Sequence, residues 1–247
     1  MTEALNIVIP MAGRGSRFAE AGYNVPKPFI DVHGRPMIGW VVENLRPARE
    51  HRFIFLCLAD HASRFGVLEE IAPGAEIIVV DQVTEGAACT VLLARELIDS
   101  SAPLMIANSD QWVAMSIDDY LDAADDPECD GLIMTMRADD PKWSFARLDE
   151  DGFVAEVVEK VVVSDEATVG IYNFAHGADY VRAADAMIAA DERVNGEFYV
   201  APTYNQLIAE GAEIGVYNVG DVEDGMYGLG TPADLKAFLR APISQRR

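Results

Sequence analysis

Apolar and polar positions fall along the chain in two kinds of block. Short runs of aliphatic and β-branched residues, too brief for helices, recur from Leu5 to Ile9, at Arg52–Leu58, Ala75–Val80, Pro103–Ala107, Gly131–Arg137, Ala167–Phe174 and Glu213–Val219. Such runs predict buried strands. Between them, helical spacing predicts helices over Pro36–Leu45, His61–Ile71, a segment reaching Leu97, the acidic Asp118–Asp126, the alanine-rich His176–Ala190, Thr203–Glu210 and a final helix ending near Leu239. Strands alternating with helices predict an α/β fold: a doubly wound, mostly parallel central sheet with helices on both faces. Trp143–Leu148 and Phe153–Val158 flank Glu150-Asp151-Gly152, a hairpin with a D-G turn that adds a small β subdomain. The tail from Ser244 to Arg247 reads as mobile.

The first run delivers a loop with its own chemistry. Gly13 and Gly15 remove the Cβ atoms that would keep a ligand off the backbone, so the amides from Ala12 to Arg17 can face anionic oxygens. Arg14 and Arg17 supply charge there, and Ser16 a hydroxyl. Lys27 lies between Pro26 and Pro28, which restrict the backbone on both sides of it. The position three after Gly15 is Phe18, which excludes a dinucleotide fingerprint, and no G-K-[ST] follows. In a parallel sheet, ligands sit at the carboxyl ends of the strands, where this loop already lies. Asp110 falls just past the tip of the fourth strand, where a carboxylate is costly unless it meets a cation or hydrogen-bond donors. It is the leading metal ligand, in a pattern that suits Mg²⁺ completed by nucleotide phosphates and water.

From Ile9 through Trp40 the chain resembles the nucleotidyltransferases that activate sugar phosphates, with their G-x-G-[ST]-R loop and P-K-P triplet. The resemblance implies that Gly13–Ser16 and Arg17 hold the triphosphate of an NTP, that Lys27 lies between donor and acceptor phosphates, and that Asp110 binds Mg²⁺. It makes Gln82, Gly86 and Ala87 a base-recognition segment, with Ala12 also near the base; a strand-to-helix turn capped by Thr84 or Asp81 explains the same residues. On the acceptor side it carries over Glu159 and Lys160, although Val161 replaces the usual proline and a surface ion pair is the competing reading. Gly170 would let a ring lie on the backbone, Tyr172 would stack or donate unless it is a core tyrosine, and Glu197 would help close the pocket. The G-T-P-x-D-L ending also looks familial, but Gly228 stands where the commonest pattern has a second metal carboxylate, so either Asp221 or Asp224 moves in or the metal relies on Asp110 and the phosphates alone. The whole chain then reads as one domain, residues 1–112 binding NTP and residues 113–247 the acceptor.

The implied reaction joins an NTP to a phosphorylated acceptor, a sugar 1-phosphate first, releasing pyrophosphate. Two alternatives stand beside it: a cytidylyltransferase for a non-sugar phosphate or phosphonate, and a nucleotide-binding protein without turnover.

Charge and cysteine content narrow the partners. A net charge of −22 argues against general affinity for nucleic acid or anionic membranes, so a polyanionic substrate needs a local positive pocket. No eighteen-residue apolar run or basic leader is present, and Cys57, Cys89 and Cys129 are scattered without metal spacing, which predicts a cytoplasmic protein with reduced thiols. Self-association into a homo-oligomer is compatible with this reading.

Overall fold

The structure is a computed structural model that describes residues 3–245. Its centre is a run of parallel strands: β1 (Leu5–Met11) lies between β4 (His51–Leu58) and β6 (Leu104–Ala107), with β5 (Glu76–Val80) outside β4. Two short strands, β2 (Asp31–Val32) and β3 (Arg35–Pro36), form a separate hairpin. The main sheet continues from β6 through β11 (Glu166–Phe174), β8 (Gly131–Arg137), β12 (Ile214–Val222), β13 (Gly225–Gly228) and β7 (Gln111–Val113). β11 runs antiparallel to both β6 and β8, whereas β8, β12 and β13 are mutually parallel. The expected hairpin is β9 (Ser144–Leu148) with β10 (Val154–Glu159), and β9 joins it to the main sheet through β11. Gly152 supplies the positive φ of its turn, at 92°.

Alternation along β1 assigns side chains to two faces, as strand geometry requires. Ile7 and Ile9 pack with α2 (Met37–Asn44), α3 (Phe65–Ile71) and α6 (Ile117–Ala124). Val8 packs on the other side with α4 (Ala87–Leu92), α5 (Arg95–Ile98), α7 (Gly177–Ala189) and α8 (Tyr204–Ala209). A smaller cluster sets Phe18 of α1 (Ser16–Glu20) against Leu235 and Phe238 of α9 (Pro232–Arg240), tying the first helix to the last.

Four local expectations change. The helix reaching Leu97 is two short helices, α4 and α5, and the stretch from Ala59 to Arg64 is a 3₁₀ turn ahead of α3. Pro36 caps α2 instead of opening it, because its extended backbone (ψ 145°) pairs in the small hairpin. Ser244 is buried and its hydroxyl lies 3.1 Å from His33 Nε2, which anchors the tail; residues 246 and 247 fall outside the described residues.

His61 is buried edge-on against Phe29, ring centroids 6.0 Å apart, and its Nδ1 has no partner. Burial lowers its pKa from the ordinary 6.5, against a smaller opposing pull from Asp60. The unfolded chain therefore takes up this proton first. The stability this group contributes is present above pH 6.5 and is lost as the pH falls through the lower folded-state value. His61→Gln is expected to lose less melting temperature than the wild type between about pH 7.5 and about pH 5.5, because its side chain has no proton to take up.

Candidate active site

Beyond Met11 the chain leaves the sheet and turns through Gly13 and Gly15 into α1. Gly15 takes a left-handed backbone (φ 60°, ψ 32°), and a Cβ there would lie 3.2 Å from Lys27 Cβ, so the loop rests on the lysine stem. The N–H groups of Gly13, Arg14 and Gly15 have no backbone acceptor among the described residues. Gly13, Arg14 and Ser16 are exposed, Ala12 is buried, and Arg17 borders the cleft beyond the loop.

Lys27 opens a single 3₁₀ turn, Lys27–Phe29, held by the bond from Phe29 N to Pro26 O at 2.9 Å. Its Nζ donates to Asp110 Oδ2 at 2.8 Å, with both side chains about three-quarters buried (24% and 20% exposed). The Asp110 carbonyl accepts Leu229 N–H at 2.8 Å, fixing this residue to the chain beyond β13. A Cβ on Gly230 would lie 2.6 Å from Asp110 Oδ2, so that glycine makes the room the carboxylate occupies.

A cleft of about 570 Å³, within the usual range for small-molecule sites, opens beside this pair. Arg17, Ala87 and Asp110 border it together with Glu159, Lys160, Gly170 and Tyr172. Glu159 is buried, accepts the Ser144 hydroxyl and lies 3.0 Å from Lys160 Nζ, which also donates to the Lys142 carbonyl at 2.7 Å. Lys160 holds a left-handed backbone (φ 61°), a strained conformation that non-glycine residues seldom adopt. Tyr172 hydroxyl lies 3.0 Å from Thr168 Oγ1, and burial holds its pKa above the usual phenol value. Tyr199, on the same cleft, is pushed up to about 12 by burial and by its hydrogen bond with the Glu197 carboxylate. Both phenols are therefore neutral at physiological pH.

The space at two glycines is used differently from the expectation. A Cβ on Gly170 would lie 2.3 Å from Asn108 Nδ2 and 2.5 Å from Gln111 Oε1, so side chains, not a ligand ring, take up that room. Gly86 (φ 140°) faces the Phe198 peptide, whose oxygen would be 2.3 Å from its Cβ. Ala87 borders the cleft, Gln82 is exposed on the loop before it, and Thr84 hydroxyl holds the Gly86 carbonyl at 2.8 Å. Glu197 is exposed and meets the cleft only through Tyr199.

The second carboxylate is a correction. Asp221 is drawn to Arg137 at 2.7 Å, which lowers its pKa, and Asp224 is exposed in the turn between β12 and β13, outside the cleft lining. The carboxylate beside Gly228 is Asp234, whose Cγ would lie 3.5 Å from a Cβ at that position and which borders the same cleft. Asp234 is the acid of the G-T-P-x-D-L ending, and its N–H donates to Thr231 Oγ1 at 3.1 Å. That ending does not by itself put the side chain on the cleft wall. Sequence reasoning also missed Lys142, Trp143, Ser144 and Thr168, which border the cleft from segments with no motif of their own, and it carried over only Glu197 from the stretch that places Tyr199 there.

Among the described residues no three His, Cys, Asp or Glu side chains converge as a metal cage. Mg²⁺ carried by a nucleotide needs only one or two protein carboxylates, so Asp110, in its space cleared by Gly230, and Asp234 fit that ion. No helix among the described residues is long and apolar enough to cross a membrane.

The curated relatives include mannose-1-phosphate guanylyltransferase 1 of Arabidopsis thaliana, 27% identical over 177 residues, and the mannose-1-phosphate guanylyltransferase catalytic subunit beta of Danio rerio, 27% identical over 178. These alignments cover 68% and 69% of this chain and 49% of each relative, so the chain spans about half the length of the curated relatives it matches. Among solved structures, a nucleoside-diphosphate-sugar pyrophosphorylase from Vibrio cholerae superposes with a TM-score of 0.80 at 27% identity, covering 95% of this chain and 99% of that one. The model of the Nucleotidyl transferase family matches residues 7–200, from the second half of β1 through the segment that carries Phe198 and Tyr199, and the chain belongs to that family.

Proposed function

We propose that the protein transfers a nucleotidyl group from an NTP to a sugar 1-phosphate, giving an NDP-sugar and pyrophosphate. The observation that carries this reading is the Lys27–Asp110 pair at 2.8 Å, set between the glycine loop and a cleft that also takes in Glu159 and Lys160. In a chain of net charge −22, the cations Arg17, Lys27, Lys142 and Lys160 gather at this one place.

An oxygen of the acceptor phosphate attacks the α-phosphorus, the bond between the α-phosphorus and its bridging oxygen breaks, and pyrophosphate leaves. The acceptor phosphate is already ionised, so no serine, cysteine or histidine nucleophile is needed. Positioning and charge neutralisation carry the step. The free amides of Gly13–Gly15 and Arg17 hold the leaving phosphates. Lys27 leaves Asp110 for the phosphates between donor and acceptor, and Lys160, oriented by Glu159, meets the acceptor phosphate. Asp110, with Asp234 as the second carboxylate, would hold Mg²⁺, which would neutralise charge on the triphosphate. The loop with Gln82 and Ala87 takes the base. The three cysteines, all free, suit a reducing cytoplasm.

The test is pyrophosphate release with Mg²⁺, pairing ATP, GTP, CTP, UTP and dTTP with sugar 1-phosphates, phosphocholine and aminoethylphosphonate. Turnover with one nucleotide and a sugar 1-phosphate is expected. Turnover with only a non-sugar acceptor, or binding without turnover, overturns the assignment.

A further inference from the structure

The loop proposed to take the base and the strap that borders the acceptor end of the cleft are joined backbone to backbone. Phe198 N–H donates to the Glu85 carbonyl at 2.9 Å, and Ala88 N–H donates to the Phe198 carbonyl at 3.0 Å. The contact is so close that only a glycine fits at position 86, where a Cβ would lie 2.3 Å from the Phe198 oxygen and 2.5 Å from its nitrogen. Phe198 itself is buried with Ala88 and Met187. Arg193 closes the join from outside: it pairs with Glu85, bonds Asp191 at 2.5 Å and lays its guanidinium 4.3 Å from the Phe198 ring centroid. The next residue along the strap, Tyr199, borders the cleft under Lys160, whose Nζ is 5.3 Å from the tyrosine ring centroid and 3.0 Å from Glu159. An unbroken series of contacts thus runs from the turn at Thr84–Gly86 to the Glu159–Lys160 pair.

Resting on the proposed reaction, we infer that Arg193 is a positioning residue: it clamps the nucleotide-side loop Asp81–Ala88 to the acceptor-side strap Glu197–Val200, so that filling either pocket orders the other. The physical basis is shared ordering. A strap pinned by an acceptor presents its Phe198 peptide to the loop in the bound geometry, and the loop then loses less freedom when the nucleotide arrives. By linkage the effect is reciprocal. An exposed ion pair alone adds little to fold stability, and Arg193 is only partly covered, so its removal reads out in coupling and not in melting temperature. The planar guanidinium both stacks on Phe198 and meets two carboxylates, which a lysine ammonium does not reproduce.

The experiment is calorimetric titration of the full chain with the α,β-methylene analogue of whichever triphosphate turns over, which binds without reacting, in the presence and absence of the matching sugar 1-phosphate. For the wild type, the sugar phosphate is expected to tighten analogue binding about fivefold or more, in the range usual for coupled sites. Arg193→Ala is expected to bring that ratio close to one at an unchanged melting temperature, with Arg193→Lys recovering only part of it. A wild-type ratio of one, or a ratio that survives in Arg193→Ala, overturns the inference while pyrophosphate release stands. Absence of any triphosphate binding or turnover in the wild type overturns the proposed reaction and this coupling with it.

Discussion

Lys27→Ala is expected to reduce pyrophosphate release by about 10³-fold, with the protein still folded and a much smaller proportionate fall in melting temperature. The lysine is held by prolines on both sides and by the stem contact with Gly15, so its charge is delivered to one place at little entropic cost. A fixed charge aimed at developing phosphate charge is worth about 10²–10³ in rate in comparable oxyanion sites. Asp110→Asn is expected to lose a similar factor, because it removes the carboxylate proposed to hold Mg²⁺. Neither change should unfold the protein. About a fifth to a quarter of each side chain stays in water, so the partner left behind remains hydrated and the cost to stability stays below the roughly 3–5 kcal/mol of breaking a fully buried pair. Lys27→Arg is not expected to rescue, since a forked guanidinium does not occupy the position of a point charge. Steady-state kinetics with thermal melting on the same samples decides the matter. Full activity in Lys27→Ala would remove the lysine from the mechanism, and a collapsed melting temperature would make its role structural.

Gly86→Ala is the second large effect, and here stability and binding fall together. The residue holds φ 140°, which an alanine adopts only with strain, and its Cβ would meet the Phe198 peptide at 2.3–2.8 Å. A main-chain obstacle cannot rotate away as a side-chain tip can. The loop must therefore part from the strap, breaking the Glu85–Phe198 and Ala88–Phe198 hydrogen bonds. Backbone strain and the lost bonds together predict a cost of about 2–4 kcal/mol, roughly 5–12 °C in melting temperature for a chain of this size. Triphosphate binding is expected to weaken at least tenfold, roughly 1.4 kcal/mol, since the loop that would take the base is displaced. Thermal melting and titration with the productive NTP check both. A variant that melts and binds like the wild type would mean that the loop and strap separate freely in the native protein.

What the sequence displayed best was whatever local rules determine. The β1 run, the two loop glycines and Pro-Lys-Pro declare themselves within a few residues, and Asp110 stands out because a carboxylate at a buried strand tip needs a partner. The direction of β11 was not legible. Ala167–Phe174 is a fully buried run that reads the same for either orientation, and only its pairing with β6 and β8 fixes it as antiparallel. Gly86 was recognised as special for another reason, because the backbone it accommodates lies more than a hundred positions further along the chain. Asp234 belongs to the G-T-P-x-D-L ending, but its place on the cleft wall depends on Gly228 leaving the space beside it, which no local pattern shows.

The pairing of β7 with β13 also bears on the order in which a growing chain can assemble. Gln111–Val113 is laid down early, yet among the described residues its only ladder is with Gly225–Gly228, and Asp110 receives its backbone partner from Leu229. A ribosome-bound chain that has completed β1, β4, β5 and β6 still lacks the segment that fixes Asp110. The central strands can collapse during synthesis, but the proposed catalytic geometry waits for nearly the last helix, so nascent chains stalled before residue 225 would be compact yet lack the proposed site.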